Sequence, residues 1–154
     1  MDPLTNSIGE FVVVLNASAG ARGVAAGTGD NTEVVGTVID RTLYGYAKSA
    51  VFAIVGSAVL ASAATLTLKN VAIEHDDDVA FGTTADFKTV SDAVVATGGA
   101  GGSTENVKKE IDVDLAGAKR YLRITYTPDL SAGGTDIFTL AAAAVLGGQD
   151  QLPA

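Results

Sequence analysis

The sequence predicts an all-β fold, an antiparallel β-sandwich in jelly-roll or immunoglobulin-like order with extended N- and C-terminal arms. Three observations support this fold class. Short apolar runs are separated by glycine-rich breaks, apolar and polar residues alternate within several runs, and the 154 residues include 18 glycines but only three prolines. Such spacing is typical of sandwiches and barrels. A chain of this length fits one ordinary domain, and its mean hydropathy of +0.31 is too high for a disordered chain.

The predicted strands are the apolar runs, and glycine-rich or polar segments are the predicted connections. The runs cover residues 11–15, 33–39, 48–55, 64–74, 87–90, 93–96, 110–115, 119–127 and 136–146. We predict loops at residues 16–31, 98–104 and 128–135 and a turn at residues 116–118. The predicted sandwich spans residues 11–148, with residues 1–10 as an N-terminal arm and residues 149–154 as a C-terminal tail, because both ends lack a strand pattern.

Alternation indicates which face of each strand is buried. In residues 119–127, Leu122, Ile124 and Tyr126 share the predicted inner face, whereas Tyr121 and Arg123 point outward.

In residues 64–74 the apolar positions change parity, because Leu66 and Leu68 are even and Val71 and Ile73 are odd. One extra residue near positions 69–70, a β-bulge, would keep all four side chains inside.

Two segments also allow a helical interpretation. Residues 136–148 are rich in alanine, which favours helix, and Gly147 could end one. Residues 49–68 form an uncharged stretch of membrane-spanning length, but five of the 20 residues are Ser or Thr. We interpret this stretch as two buried strands joined by a turn of small residues, and residues 136–146 as a strand with the helix as the alternative.

Charge and composition exclude several classes of function. The net charge is −8 and only ten Lys and Arg are present, scattered along the chain, so neither nucleic acid nor an acidic membrane is an expected partner. The acidity suits either solubility or docking onto a basic surface. The sequence has no cysteine, which excludes disulfides and thiolate chemistry. The first residues lack the basic region of a secretory signal, so none is expected.

Residues suited to catalysis or metal binding are few. The single histidine, His75, precedes Asp76, Asp77 and Asp78, and a polar turn explains this cluster better than a general base does. Together with Asp86 the acidic run suggests calcium, but the spacing does not match an EF-hand loop. The glycine-rich segments lack the Lys-Ser/Thr of a phosphate loop. We therefore predict no enzyme, no catalytic residue, no metal site and no cofactor.

Two segments carry a family resemblance. The stretch VAIEHDDDVAFGTTADFKTVSDAVV, followed by VKKEIDVDLAGAKRYLRITYTPDLSAGGTDIFTLAAAAVLGG, resembles the pattern of small β-sandwich decoration (cement) proteins of tailed bacteriophages. The matching pieces are residues 87–90, residues 111–115, Gly117 and residues 119–123. The resemblance covers about residues 64–148. The sequence departs from the family pattern at Val79, where the pattern often has glycine.

The resemblance implies a virion structural protein, made in the bacterial host cytoplasm, that sits on the outer capsid surface and ties capsomers together. It implies two partners, the major capsid protein and further copies of the chain itself, as a homotrimer. The expected contact residues are Arg120, Tyr121 and Arg123 on a strand and Asp2 and Leu4 in the N-terminal arm, because arginine and aromatic side chains are enriched at interfaces.

Two other functions stay open. One is a carbohydrate- or receptor-binding sandwich on a virion fibre or cell surface, with Tyr44, Tyr46, Tyr121 and Tyr126 as candidate sugar contacts. The other is a phage tail or head–tail joining protein.

Overall fold

The computed structural model describes residues 12–131 and 134–148. Within them the chain forms ten β-strands and one short 3-10 helix, Arg41–Tyr44. The strands are β1 Val12–Val24, β2 Val34–Val35, β3 Ile39–Asp40, β4 Ser49–Leu60, β5 Thr65–Asp76, β6 Ala85–Val90, β7 Ala93–Thr97, β8 Ser103–Asp114, β9 Tyr121–Leu130 and β10 Ile137–Gly147. The all-β prediction is confirmed.

The described strands pair into two antiparallel sheets packed face to face. The first sheet has the order β1-β10-β4-β8. In the second, β9 and β5 lie in the centre, β2 and β3 both pair with β9, and β6 and β7 both pair with β5. If β2 and β3 are counted as one interrupted strand, and β6 and β7 as another, the sandwich has eight described strands. Renumbered 1 to 8 in chain order, these strands lie in the orders 1-8-3-6 and 2-7-4-5. This is the order of a jelly roll rather than of an immunoglobulin domain.

The core lies between the inner faces of the two sheets. Its largest fully buried side chains are aromatic or branched, among them Tyr126, Phe52 and Phe138. The Tyr126 hydroxyl lies 3.1 Å from the Ser18 hydroxyl, which accepts the backbone N–H of Ala142 at 2.8 Å. A buried tyrosine needs such a partner, so this network joins β9 of one sheet to β1 and β10 of the other.

The predicted β-bulge in β5 is confirmed. The pairing of β5 with β9 shifts register between Lys69 and Ala72, and Asn70 has a φ of 48°. The four side chains whose parity changes all point into the core, with exposures of 2% or less, and they are Leu66, Leu68, Val71 and Ile73. One extra residue therefore lets a single strand bury apolar positions of both parities.

Three predicted loops were wrong in part. Residues 16–24 belong to β1, whose register shifts twice, between Asn16 and Ser18 and between Ser18 and Ala21. These shifts and the small residues hide the alternation that a strand normally shows. Residues 103 and 104 of the predicted loop 98–104 belong to β8, which begins seven residues before the predicted strand and whose polar side chains suit an edge strand. Residues 128–130 belong to β9, and Pro128 lies opposite Leu68.

The strand interpretation of the last run is confirmed over its helical alternative. β10 lies between β1 and β4, and its even-numbered side chains, Phe138 to Leu146, are buried against the second sheet. Residues 49–68 also form two strands, β4 and β5, joined by a short turn. Among the described residues, no helix has the length and apolar character needed to span a membrane. The predicted arms, residues 1–10 and 149–154, lie outside the described residues, as does Phe11.

Candidate interaction surfaces

Loops from both sheets meet at one end of the sandwich, next to the strand that carries the predicted contact residues. Asp40 caps the start of the 3-10 helix: its carboxylate accepts the backbone N–H of Thr42 at 3.0 Å and the Thr42 hydroxyl at 2.7 Å. The helix ends at Gly45, which has a left-handed φ of 60°. Capping at both ends fixes this short turn although it is too short to be stable alone.

Arg41 is the buried centre of this end of the molecule, with an exposure of 6%. Its Nη1 donates to the carbonyl oxygens of Ala118 and, at 3.1 Å, Lys119. Its Nη2 donates to those of Ala47 at 3.0 Å and Leu115 at 3.3 Å. Burial lowers the pKa of this guanidinium. One side chain thus ties the 3-10 turn to the β8–β9 hairpin through charge-assisted hydrogen bonds.

Arg120 lies just before β9 and is held by a two-pronged ion pair with Asp40. Its Nη2 donates to Oδ2 at 2.7 Å and its Nε to Oδ1 at 3.1 Å. The guanidinium carbon also lies 4.8 Å from the centre of the Tyr121 ring. The arginine beside it holds the pKa of the Asp40 carboxyl well below its usual range. Arg120 is therefore oriented by Asp40 and Tyr121 while half of its side chain stays exposed.

Arg123 points outward from β9, as predicted, but its guanidinium is already paired with other side chains of the same chain. Its Nε donates to a carboxylate oxygen of Glu74, directly opposite on β5. Its guanidinium carbon lies 4.2 Å from the centre of the Phe81 ring. Only about 20% of the Arg123 side chain is exposed, so it holds the 77–84 turn against the sheet and offers little surface to a partner.

The acidic turn after β5 is organised by backbone hydrogen bonds. Asp76 is 2% exposed, and its carboxylate accepts the N–H groups of Asp77 at 2.7 Å, Asp78 at 3.2 Å and Thr83 at 3.0 Å. These bonds lower the pKa of Asp76. Its oxygens are thus occupied by the chain itself, and among the described residues no group of three or more metal-binding side chains is present.

His75 is also held by the chain. Its Nδ1 accepts the backbone N–H of Lys119 at 3.3 Å, and its ring lies 5.0 Å from the Phe87 ring. Burial, followed by the charge of Lys119, lowers the pKa of His75. The lowered pKa favours the neutral imidazole, and the hydrogen bond that its Nδ1 accepts supports the β8–β9 hairpin.

Four side chains at this end of the molecule form what we call the loop-end patch: the exposed Leu43, Tyr46 and Arg120 and the half-buried Tyr121. Leu43 is 68% exposed and Tyr46 51%, and Arg120 and Tyr121 stack as described above. Tyr44, in contrast, packs partly against the core, and Tyr126 is fully buried. The four tyrosines thus form no shared sugar platform. Leu43 was not predicted as a contact residue, because a single exposed side chain leaves no periodic signal, and Tyr46 was named only as a candidate sugar contact.

Three strands of the first sheet, β1, β4 and β10, have a largely apolar outer face, whereas the outer face of the second sheet is charged. No charged residue occurs in β4 or β10, and β1 contains only Arg22. The outward side chains of these three strands form what we call the valine–alanine face. Its members include Val14, Val51, Ala53, Val55, Val59, Ala141, Ala143 and Val145. A depression of about 410 Å³, lined by Val12, Val51 and Val145 among others, lies at one end of it.

The outer face of the second sheet carries cross-strand ion pairs. Lys69 and Asp129 approach to 2.8 Å, and Glu74 pairs with Arg123 as described above. The outer face of the second sheet is therefore polar and internally paired, whereas the part of the first sheet's outer face formed by β1, β4 and β10 is largely apolar. The remaining predicted contact residues, Asp2 and Leu4, lie outside the described residues.

Comparisons with known proteins give only a distant structural likeness. No protein-family model matches the sequence, and no curated protein sequence matches it. Among solved structures, that of infectious bursal disease virus, Gt strain, matches with a TM-score of 0.44 and 14% identity over 92% of this chain. The VP2 subviral particle of the same virus matches with a TM-score of 0.48 and 10% identity over 92%.

The chain spans about a third of the length of these viral chains, 34% and 33% respectively. With TM-scores below 0.5 this likeness is too weak to indicate a function, and the jelly-roll assignment rests on the strand order itself.

Proposed function

We propose that this chain is a non-enzymatic virion structural protein that binds the outer surface of a bacteriophage capsid and stabilises contacts between capsomers. The observation that carries the proposal is the jelly-roll strand order, 1-8-3-6 over 2-7-4-5. This architecture recurs in viral capsid proteins, and also in lectins and cupins. Since a fold alone does not determine a function, the proposal depends equally on the sequence resemblance of residues 64–148 and on the surfaces that the fold presents.

The loop-end patch is the proposed contact with the major capsid protein. It combines exposed tyrosine, arginine and leucine side chains, of which tyrosine and arginine are enriched among residues that dominate binding energy. Its backbone is fixed by Arg41 and Asp40 before any partner arrives. A preorganised surface loses little conformational entropy on binding.

Among the predicted contact residues, Arg120 and Tyr121 keep the role of direct contacts in this proposal. Arg123 acts instead by positioning the 77–84 turn, because its guanidinium already faces Glu74 and Phe81. Asp2 and Leu4 are proposed to act in an N-terminal arm that reaches a neighbouring subunit. Further copies of the chain are the second proposed partner, and the resemblance implies three.

The proposal is tested first by locating the protein in particles. Particles from producing cells are purified and imaged by electron cryomicroscopy, and their proteins are identified by mass spectrometry. We expect a 15.5-kDa component on the outer capsid surface. Density in the tail or at the head–tail joint would instead assign it to joining, and absence from particles would refute a virion role.

A rebinding assay then tests the patch. Particles stripped of the protein are mixed with purified chains and sedimented. We expect Leu43→Glu to reduce binding at least tenfold, because it places a charge at a desolvated contact. Val94→Glu is the matched control, since Val94 is 58% exposed on β7, far from the patch in the fold. Equal binding of both variants would show that the loop-end patch does not contact the capsid. Deletion of residues 1–10 should weaken binding if the arm contributes.

A further inference from the structure

The valine–alanine face carries one charged side chain, Arg22, over three adjacent strands and no acidic one. Most of its outward side chains are small or branched and apolar, and three of them are exposed: Val14 at 70%, Val59 at 43% and Val55 at 42%. Monomeric proteins rarely leave a contiguous apolar patch of this kind in water. The face requires an explanation that the loop-end patch does not provide.

The size of the face matches what a specific interface requires. β10 and β4 contain 11 and 12 residues. Three strands of this length cover about 36 by 14 Å, or about 500 Å² for each copy. Two such faces in contact bury about 1,000 Å², the lower limit for a specific interface. The small side chains Ala53, Ala141 and Ala143 keep the surface flat, so a second sheet can approach to the usual ~10 Å.

The distribution of charge indicates which molecule covers the valine–alanine face. The chain carries a net charge of −8, so two copies repel wherever their acidic surfaces meet. The valine–alanine face is where a copy can meet its own equivalent without opposing acidic side chains, because β1, β4 and β10 contain none. Next to it, β8 adds a mixed row of outward charges, including Lys108, Glu110 and Asp112. A symmetric pair places the same patch on both sides of the contact, and a largely apolar face without acidic side chains suits that arrangement.

We propose that the valine–alanine face is the self-association surface of this protein and that its occupant is a second copy of the same chain, stacked face to face. This inference stands independently of capsid binding, because it concerns the opposite sheet from the one that carries Arg120 and Tyr121. If both proposals hold, self-association leaves the loop-end patch free for the capsid.

The test measures the mass of the full-length protein by light scattering and sedimentation across a dilution series. We expect an assembly of at least two 15.5-kDa chains. Val55→Glu should convert it to monomers, because the new carboxylate would be buried without a partner in the contact. Within one chain this variant is tolerated, since Val55 lies opposite Lys108 on β8 and opposite charges across strands are favourable. Val94→Glu, on the other sheet, is the matched control and should leave the assembly intact.

Circular dichroism establishes that the variants fold, and Val14→Glu provides a second disruption at the most exposed position of the face if Val55→Glu does not fold. A wild-type monomer at all concentrations would overturn the proposal, as would an assembly that survives both variants. A wild-type monomer that associates only after residues 1–11 are deleted would show that this segment covers the face, which also overturns it. An assembly of three or more chains that Val55→Glu disperses supports it, because the occupant is still another copy.

Discussion

Replacing Arg41 with lysine should unfold the loop end of the sandwich before it affects the core. The guanidinium donates to four backbone carbonyls from two segments of the chain. A lysine ammonium is a single point charge and cannot reach both groups of acceptors. At least two buried hydrogen bonds to a charged group are then lost. Each contributes about 1.5–3 kcal/mol, so we expect a loss of about 3 kcal/mol in the free energy of unfolding.

This loss corresponds to a clear thermal shift. For a chain of this size each kcal/mol lowers Tm by about 2–4 °C, so Arg41→Lys should lower it by about 9 °C. Differential scanning calorimetry gives the measurement, and Arg22→Lys is the control because Arg22 is exposed on edge strand β1. A surface change of that kind should stay within about 0.5 kcal/mol. A Tm for Arg41→Lys within about 3 °C of wild type would refute the structural role assigned to the guanidinium.

Three further predictions concern the bulge, the core network and the acidic turn. Deleting Asn70 should lower the free energy of unfolding by more than about 4 kcal/mol, because it turns one pair of large apolar side chains of β5 outward. Asn70→Gly should change it by no more than about 0.5 kcal/mol. A deletion variant that is as stable as wild type in urea titration would disprove the bulge. Tyr126→Phe should lose about 1 kcal/mol by removing the hydrogen bond to Ser18, and an unchanged urea midpoint would show that this bond contributes nothing. The folded-state pKa of Asp76 is lowered, so the unfolded chain takes up the proton first, and stability present at neutral pH should fall as the pH drops below about 4. Asp76→Asn should be less stable than wild type at neutral pH and lose less on acidification; parallel pH profiles would contradict this.

The sequence predicted the strands whose two faces differ. β10 alternates strictly, so its buried and exposed sides were predicted correctly, and the parity change in β5 located the bulge. In β9 the predicted inner residues Leu122, Ile124 and Tyr126 are buried, but Thr125 and Thr127 on the opposite parity are buried as well. β1 and β8 were predicted too short for different reasons. β1 shifts register twice among small residues, and β8 begins with the polar residues of an edge strand. In both, pairing with a distant strand overrides a weak local signal.

The candidate surfaces were less predictable than the strands. Alternation correctly placed Tyr121 and Arg123 outside the core, but it does not reveal that Arg123 pairs with Glu74 or that Asp40 orients Arg120. Those partners lie 49 and 80 residues away in sequence. The loop-end patch depends on Arg41, whose type gives no indication that it is buried. The choice between jelly-roll and immunoglobulin-like order likewise depends on long-range pairing, which one sequence does not encode locally.

The position of β10 has a consequence for the order of events during synthesis. This strand is the last one in the described chain, yet it lies between β1, the first, and β4. Until residues 137–147 leave the ribosome, β1 has no partner in its sheet and the sheet cannot close. Pairing of such distant segments makes folding slow. The valine–alanine face therefore does not exist on a nascent chain, and self-association through it begins only after translation has supplied its central strand.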